Sequence, residues 1–174
     1  MKICISGLSA SGKSTVGKTL AKELNIAHVE KTYRAFAKSE EKLIDFIKDT
    51  VDRKIGTQVD NDIIEMAKDK DCVVTTWLAG WIIKDATLRV WLEGSPEIRA
   101  QRRAKDLGAD FKTVLKEVKE RDMSTTEHFK KDLGYDITDR SAFDITLNAE
   151  KMSVNEMVSV ISLLALERDK KRFA

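Results

Sequence analysis

The chain has little of what many folds depend on. It is 174 residues long, with one proline, eight glycines and two cysteines, and only 6% of it is aromatic. So few chain-breaking residues argue against an all-β fold with its many tight turns and favour long helices. The two cysteines, Cys4 and Cys72, lack metal-ligand spacing, are too few for a disulfide scaffold, and fit a reducing compartment. No run approaches the roughly 18 consecutive apolar residues of a membrane helix, and Met1-Lys2-Ile3-Cys4-Ile5-Ser6 leads into a glycine turn without an apolar leader. A soluble cytoplasmic protein with no membrane partner is expected. An excess of charge is missing too. Lys and Arg number 31 against 29 Asp and Glu, a net charge of +2, which supplies little of the cationic field that nucleic-acid binding rests on. No nucleic-acid partner is expected.

What is present suffices for one compact domain spanning residues 1–174. Of these residues, 42% are hydrophobic and 34% charged, so disorder is excluded as the default and a core of ordinary size can form. Lys2 to Ser6 is a short apolar, β-branched run broken by Gly7, the pattern of a buried strand. From Lys13 the apolar positions Val16, Leu20 and Leu24 recur at helical period, with Lys18, Lys22 and Glu23 on the other face. Leu43, Ile44, Ile47 and Val51 mark a second helix. Val59, Ile63, Met66 and Ala67 mark a third, separated from it by Lys54-Ile55-Gly56-Thr57. Cys72–Thr76 and Leu88–Leu92 have strand character. Ser95-Pro96-Glu97 then starts a helix with a cap, a proline at the first helical position and an acid at the positive dipole end. Phe111, Val114, Leu115 and Val118 continue at helical spacing. From Asp122 to Arg140 the sequence turns polar and loses its period, as a mobile lid would. Phe143–Leu147 returns to strand alternation, and Val154, Met157, Val158, Ile161 and Ala165 close with a helix. Alternating strands and helices imply a parallel α/β sheet covered on both faces, with ligands beyond the carboxyl ends of the strands.

Gly7-Leu8-Ser9-Ala10-Ser11-Gly12-Lys13-Ser14 matches G-x-x-x-x-G-K-[ST] between a strand and a helix, the context this motif requires. Its glycines let backbone N–H groups close around phosphate oxygens at a helix N-terminus. Lys13 reaches the β and γ phosphates, Ser14 is the ligand of Mg²⁺, and Thr15 stands behind it. A nucleoside triphosphate with Mg²⁺ is therefore the expected ligand. The loop alone does not separate kinases from GTPases, motors and switches. There is no N-K-x-D guanine signature, and no apolar strand ends in the Asp that usually holds Mg²⁺ through water, since Val73-Val74 runs into Thr75-Thr76. A small phosphotransferase with arginine clamps fits best.

Further elements point the same way. The phosphate loop, His28-Val29 with Tyr33-Arg34, Leu78-Ala79-Gly80-Trp81, Pro96-Glu97-Ile98-Arg99-Ala100-Gln101-Arg102 and Lys119-Glu120-Arg121-Asp122 together resemble the archaeal-type cytidylate kinases, in order and nearly end to end. The resemblance implies a phosphate-loop NTPase fold: a three-layer αβα sandwich around a mostly parallel five-stranded sheet. It also implies a helical monophosphate-binding region at about 30–70, a lid at about 122–141, and transfer of the γ-phosphoryl of ATP to CMP or dCMP by a monomer. Carried over by position, Arg34 holds the acceptor monophosphate, Asp60 lies beside the acceptor with Trp77 and Leu78, and Arg121 clamps the transferring group. Arg99 and Arg102 fall on the helix facing ATP, although with Arg103 they also read as a solvated helix face. Trp77, Trp81, Tyr33 and Phe36 have rings suited to stacking on a base, with Trp81 and Phe36 expected in the core.

The departures are specific. Thr75-Thr76-Trp77 stands where the resembled kinases carry Glu-Gly-Arg, and Thr125 and His128 replace an acidic ribose contact and a phosphate arginine, with Lys130 and Lys131 available as point charges. An ATP-dependent switch or assembly factor with slow hydrolysis is the competing reading. His28 and His128 are too far apart in sequence to suggest a metal pair. Arg168–Arg172 suits a solvated helix end.

Overall fold

A computed structural model describes residues 1–31 and 53–172 of the chain. Five strands, β1 (Lys2–Ser6), β2 (Ala27–Val29), β3 (Cys72–Thr75), β4 (Leu88–Glu93) and β5 (Ile145–Asn148), are interleaved with six helices among these residues. The helices are α1 (Lys13–Glu23), α2 (Arg53–Ala67), α3 (Ala79–Ile82), α4 (Pro96–Leu107), α5 (Phe111–Asp132) and α6 (Val154–Arg172). All strand pairs are parallel and the order is β2-β3-β1-β4-β5. β1 is therefore central, with β3 on one side and β4 on the other, so the loop that leaves it opens at the point where the strand order reverses.

Alternation along the strands sends apolar side chains to both faces, the pattern of a sheet covered twice. Ile3, Ile5, Val73, Leu88, Val90 and Leu92 pack with Val16 and Leu20 of α1 and Met157, Val158 and Ile161 of α6. Cys4, Cys72, Val74 and Val29 face the other way, against Val59 and Ile63 of α2, the α3 turn and Phe129 of α5. The expected three-layer sandwich is present, and its sheet is wholly parallel. Trp81 packs edge-on against Trp91 and Phe143, as core. Cys4 and Cys72 are both buried free thiols. No helix among the described residues is long and apolar enough to cross a membrane.

The Ser95 cap forms as its sequence demands: the hydroxyl accepts the Ile98 amide at 3.4 Å, Pro96 takes the first helical position, and Gly108 ends α4 in the left-handed region. Two expectations need correction. Residues 54–57 were expected to separate two helices, yet α2 begins at Arg53 and runs through them. Residues 122–140 were expected to be aperiodic, yet α5 continues unbroken to Asp132. Its inner side there is built from Arg121, Thr125, His128 and Phe129, all buried. The periodicity is real, but three of its four members are polar, so hydrophobicity does not reveal it. The expected helix at Leu43–Val51, with Tyr33, Arg34 and Phe36, lies outside the described residues.

Candidate active site

The site is built outward from the end of β1. Ser6, the last residue of the strand, is buried and its hydroxyl accepts the Gly80 amide at 3.1 Å, tying β1 to the α3 turn. Gly7 must lack a side chain, because a Cβ there would stand 2.7 Å from both the Leu92 carbonyl oxygen and Ser11 Oγ. The loop turns through Ser11 N–H donating to the Leu8 carbonyl at 3.2 Å, with Ala10 at φ 59. Gly12 caps α1 at φ 95 without a side-chain hydrogen bond. The first amides of α1 thus have no capping side chain in front of them, the arrangement in which a helix start receives an anion.

Lys13 folds back over the loop and donates from Nζ to the Leu8 carbonyl at 2.9 Å. Desolvation by the packed loop, and then the neighbouring Arg99 guanidinium, push its ammonium down to about 7, while Glu30 and Asp122 pull the other way. An incoming phosphate would supply the negative charge that this ammonium lacks. Ser14 sits beside Lys13 in the first turn of α1, and its hydroxyl donates to Glu30 Oε1.

In front of the loop lies a cleft of about 620 Å³ lined by Lys13, Ser14, Glu30, Thr75, Thr76 and Trp77 and, from α4 and α5, by Arg102, Arg103 and Arg121. Cations from three separate helices converge here. Ser9, Ala10, Gly12 and the exposed Thr15 also line it. Ser14, whose hydroxyl meets Glu30, shares the cleft lining with Thr75 and Thr76, and all of these offer hard oxygen donors, the class that Mg²⁺ takes, so the residues present fit that ion.

Not every expected site residue reaches this cleft. Arg99 is 1% exposed and lies behind the loop. It donates from Nη1 to the Ser9 carbonyl at 2.9 Å and to Asp122 Oδ1 at 3.0 Å, from Nη2 to Asp122 Oδ2, and from Nε to the Gly94 carbonyl at 2.9 Å. It fastens the loop to α5. Arg102 lines the cleft while donating to the Ala149 carbonyl. Leu78 is 1% exposed, its side chain part of the core beneath α3. Asp60 lines a second cavity, of about 540 Å³, with Thr57, Asn61 and Tyr135. Burial there pushes its carboxyl up to about 7. Arg34 lies outside the described residues.

Two features were not foreseen. Glu30 enters through the pairing of β2 with β3, and the only hint in the sequence is an acid immediately after the apolar end of a strand. The other is that Thr125 and His128, already singled out as departures, share one buried side of α5 with Arg121. Thr125 and His128 stand one and two turns beyond Arg121. His128 Nδ1 meets Asp132 Oδ2 at 2.8 Å, whereas His128 Nε2 and the Thr125 hydroxyl are buried with no hydrogen-bond partner among the described residues. His28 is engaged elsewhere, its Nε2 paired with the Thr75 hydroxyl at 2.8 Å, and burial lowers its affinity for a proton.

Comparison with known proteins agrees with this geometry. Residues 33–151 match the sequence profile of the cytidylate kinase-like family. The cytidylate kinase of Sulfurisphaera tokodaii is 32% identical over 167 residues, covering 92% of this chain and 93% of that protein. The cytidylate kinase of Pyrococcus horikoshii is 30% identical over 163 residues, 91% of this chain and 85% of that protein. Among solved structures, a gluconokinase from Sinorhizobium meliloti superposes with a TM-score of 0.63 at 15% identity, covering 99% of this chain and 95% of the other.

Proposed function

The chain belongs to the cytidylate kinase-like family, and from that membership we propose that it transfers the γ-phosphoryl group of ATP to CMP or dCMP, giving ADP and CDP or dCDP. The observation that carries the reading is the convergence of Lys13, Arg102, Arg103 and Arg121 on one cleft at the phosphate loop. Such a cleft neutralises a transferring phosphoryl group without a covalent intermediate. An acceptor phosphate oxygen attacks the γ-phosphorus, the bond from that phosphorus to the β,γ-bridging oxygen breaks, and ADP leaves with the electron pair.

The loop amides and Lys13 hold the β and γ phosphates, and Arg121 follows the charge as it moves toward the acceptor. Arg99 acts from behind by fixing the Ser9 carbonyl, so the loop keeps its shape as the nucleotide enters and leaves. Ser14 would hold Mg²⁺, which would supply neutralisation of the phosphate charge when bound. On the acceptor side, Arg34, Asp60, Trp77 and Leu78 are assigned by position in the family pattern, and His128 and Thr125 take the places of its arginine and acid. The 30–70 region receives the monophosphate, and the 122–141 region acts as a lid that excludes water.

We assign the activity to a monomer in the cytoplasm. The buried free thiols suit a reducing compartment. Kinship with cytidylate kinases disfavours the reading as an ATP-dependent switch. The test is a coupled ADP-release assay with CMP, dCMP, UMP and AMP. ADP release that depends on CMP or dCMP is expected; the same release with all four, or with none added, would overturn the assignment.

A further inference from the structure

The strand beside β1 ends without a carboxylate. β3 closes on Thr75, with Thr76 next, and the Thr75 hydroxyl is already paired with His28. One strand further out the situation differs. β2 ends at Val29, which is in register with Val74 of β3, so the residue after it, Glu30, stands at the same edge of the sheet. Its Oε1 accepts the Ser14 hydroxyl, and its Oε2 lies 3.7 Å from Lys18 Nζ, one turn beyond Ser14 on α1. The side chain is 21% exposed and lines the cleft beside Lys13.

The Lys18 contact explains little, since that lysine is 66% exposed and such pairs contribute weakly. What matters is which hydroxyl Glu30 holds: Ser14 is the loop oxygen placed to meet a cation. Among the described residues the other carboxylate lining the cleft is Asp106, on α4 near Arg102 and Arg103. Mg²⁺ in phosphoryl-transfer sites is bound through one or two carboxylates together with substrate phosphates. A negative charge beside Ser14 attracts a cation and repels a bare triphosphate, which makes nucleotide binding depend on the metal.

We propose that Glu30 is the carboxylate of the divalent-cation site, serving with Ser14 from the end of β2 where Thr75 and Thr76 offer none at the end of β3. The proposal rests on the kinase reading above and adds a residue to it. Glu30→Gln keeps the size of the side chain and removes its charge.

The test uses the full chain, a non-hydrolysable ATP analogue with an imido β,γ-bridge, and Mn²⁺ followed by electron paramagnetic resonance. In Glu30→Gln the Mn²⁺ dissociation constant of the nucleotide complex should rise by about 10-fold to 100-fold. Binding of the analogue in chelator should be unchanged or tighter. Glu30→Asp, which retains the charge, should lose less, and it carries the test should the Gln variant not fold. Wild-type Mn²⁺ affinity in both variants would overturn the proposal. So would an equal loss of nucleotide affinity with and without Mn²⁺, which would mark Glu30 as a brace for Ser14. A wild-type chain that binds the analogue no better with Mn²⁺ than in chelator would instead overturn the kinase reading itself.

Discussion

Around the phosphate loop the protein answers its own polar groups: Lys13 with the Leu8 carbonyl, Arg99 with Ser9 and Asp122, the Gly80 amide with Ser6. The Ser11 hydroxyl is an exception. Along the inner side of α5, Thr125 and His128 are buried to 2% and 7% exposure and still present a hydroxyl and a ring nitrogen with no partner among the described residues. Leaving a buried polar group unanswered costs about 1–3 kcal/mol. The contrast separates two ways of building half a site. The donor half is held in shape by backbone geometry and by an arginine behind it. The half proposed for the acceptor holds, along α5, two buried polar groups without a hydrogen-bond partner among the described residues.

The largest effect should come from the donor half. Lys13→Ala is expected to lower phosphoryl transfer by about 1,000-fold. It should do so without lowering the melting temperature of the free protein, because the substitution removes a desolvated ammonium. Transfer at near wild-type rate in a folded variant would break the comparison at its strongest point.

Arg99→Ala should act on stability first. It leaves Asp122 without its bidentate partner and frees the Ser9 carbonyl, and loss of one member of a buried ion pair costs about 3–5 kcal/mol. Denaturant unfolding measures this. A loss below about 1 kcal/mol, combined with a large rise in the KM for ATP, would return Arg99 to the role of an ATP contact. His128→Ala tests the acceptor half. Losing one hydrogen bond to the acceptor is worth about 1 kcal/mol, so the KM for CMP should rise by roughly fivefold to tenfold with the KM for ATP unmoved. Equal changes in both constants would show that the stripe is not specific to the acceptor.

A further effect concerns protons. The Lys13 ammonium titrates near 7 in the folded chain, against 10.5 for an unperturbed lysine. The unfolded chain therefore binds more protons between those values, and stability of the free protein should rise with pH across that window, the cost of the buried charge being fully present below it. Phosphates arriving at Lys13 favour its charged form. At pH 8 nucleotide binding should thus take up a fraction of a proton, seen by calorimetry as a binding enthalpy that changes with the ionisation enthalpy of the buffer. A buffer-independent enthalpy would contradict the account of Lys13.

The same contrast governs what the sequence made legible. The strand, loop and first helix could be read in full because Gly7, Gly12, Lys13 and Ser14 act through local backbone geometry. The start of α4 was legible for the same reason, with Ser95, Pro96 and Glu97 each having a local mechanism. The continuation of α5 was hidden because its buried side is Arg121, Thr125 and His128, which no hydrophobic pattern picks out. Glu30 gains its meaning only from the register of Val29 with Val74, a contact between distant segments. Arg99 was assigned to the ATP side by its position in the pattern of the resembled kinases. Its burial and its bond to Ser9 follow from the packing of α4 and α5, which no single stretch of sequence records.

The cleft is proposed to move a phosphoryl group from one nucleotide to another. Incubating the protein with Mg²⁺, CMP and ATP labelled at the γ-phosphate, and separating the products, tests it directly. Label recovered in the β-phosphate of CDP is the expected result. Label recovered only as inorganic phosphate would contradict it.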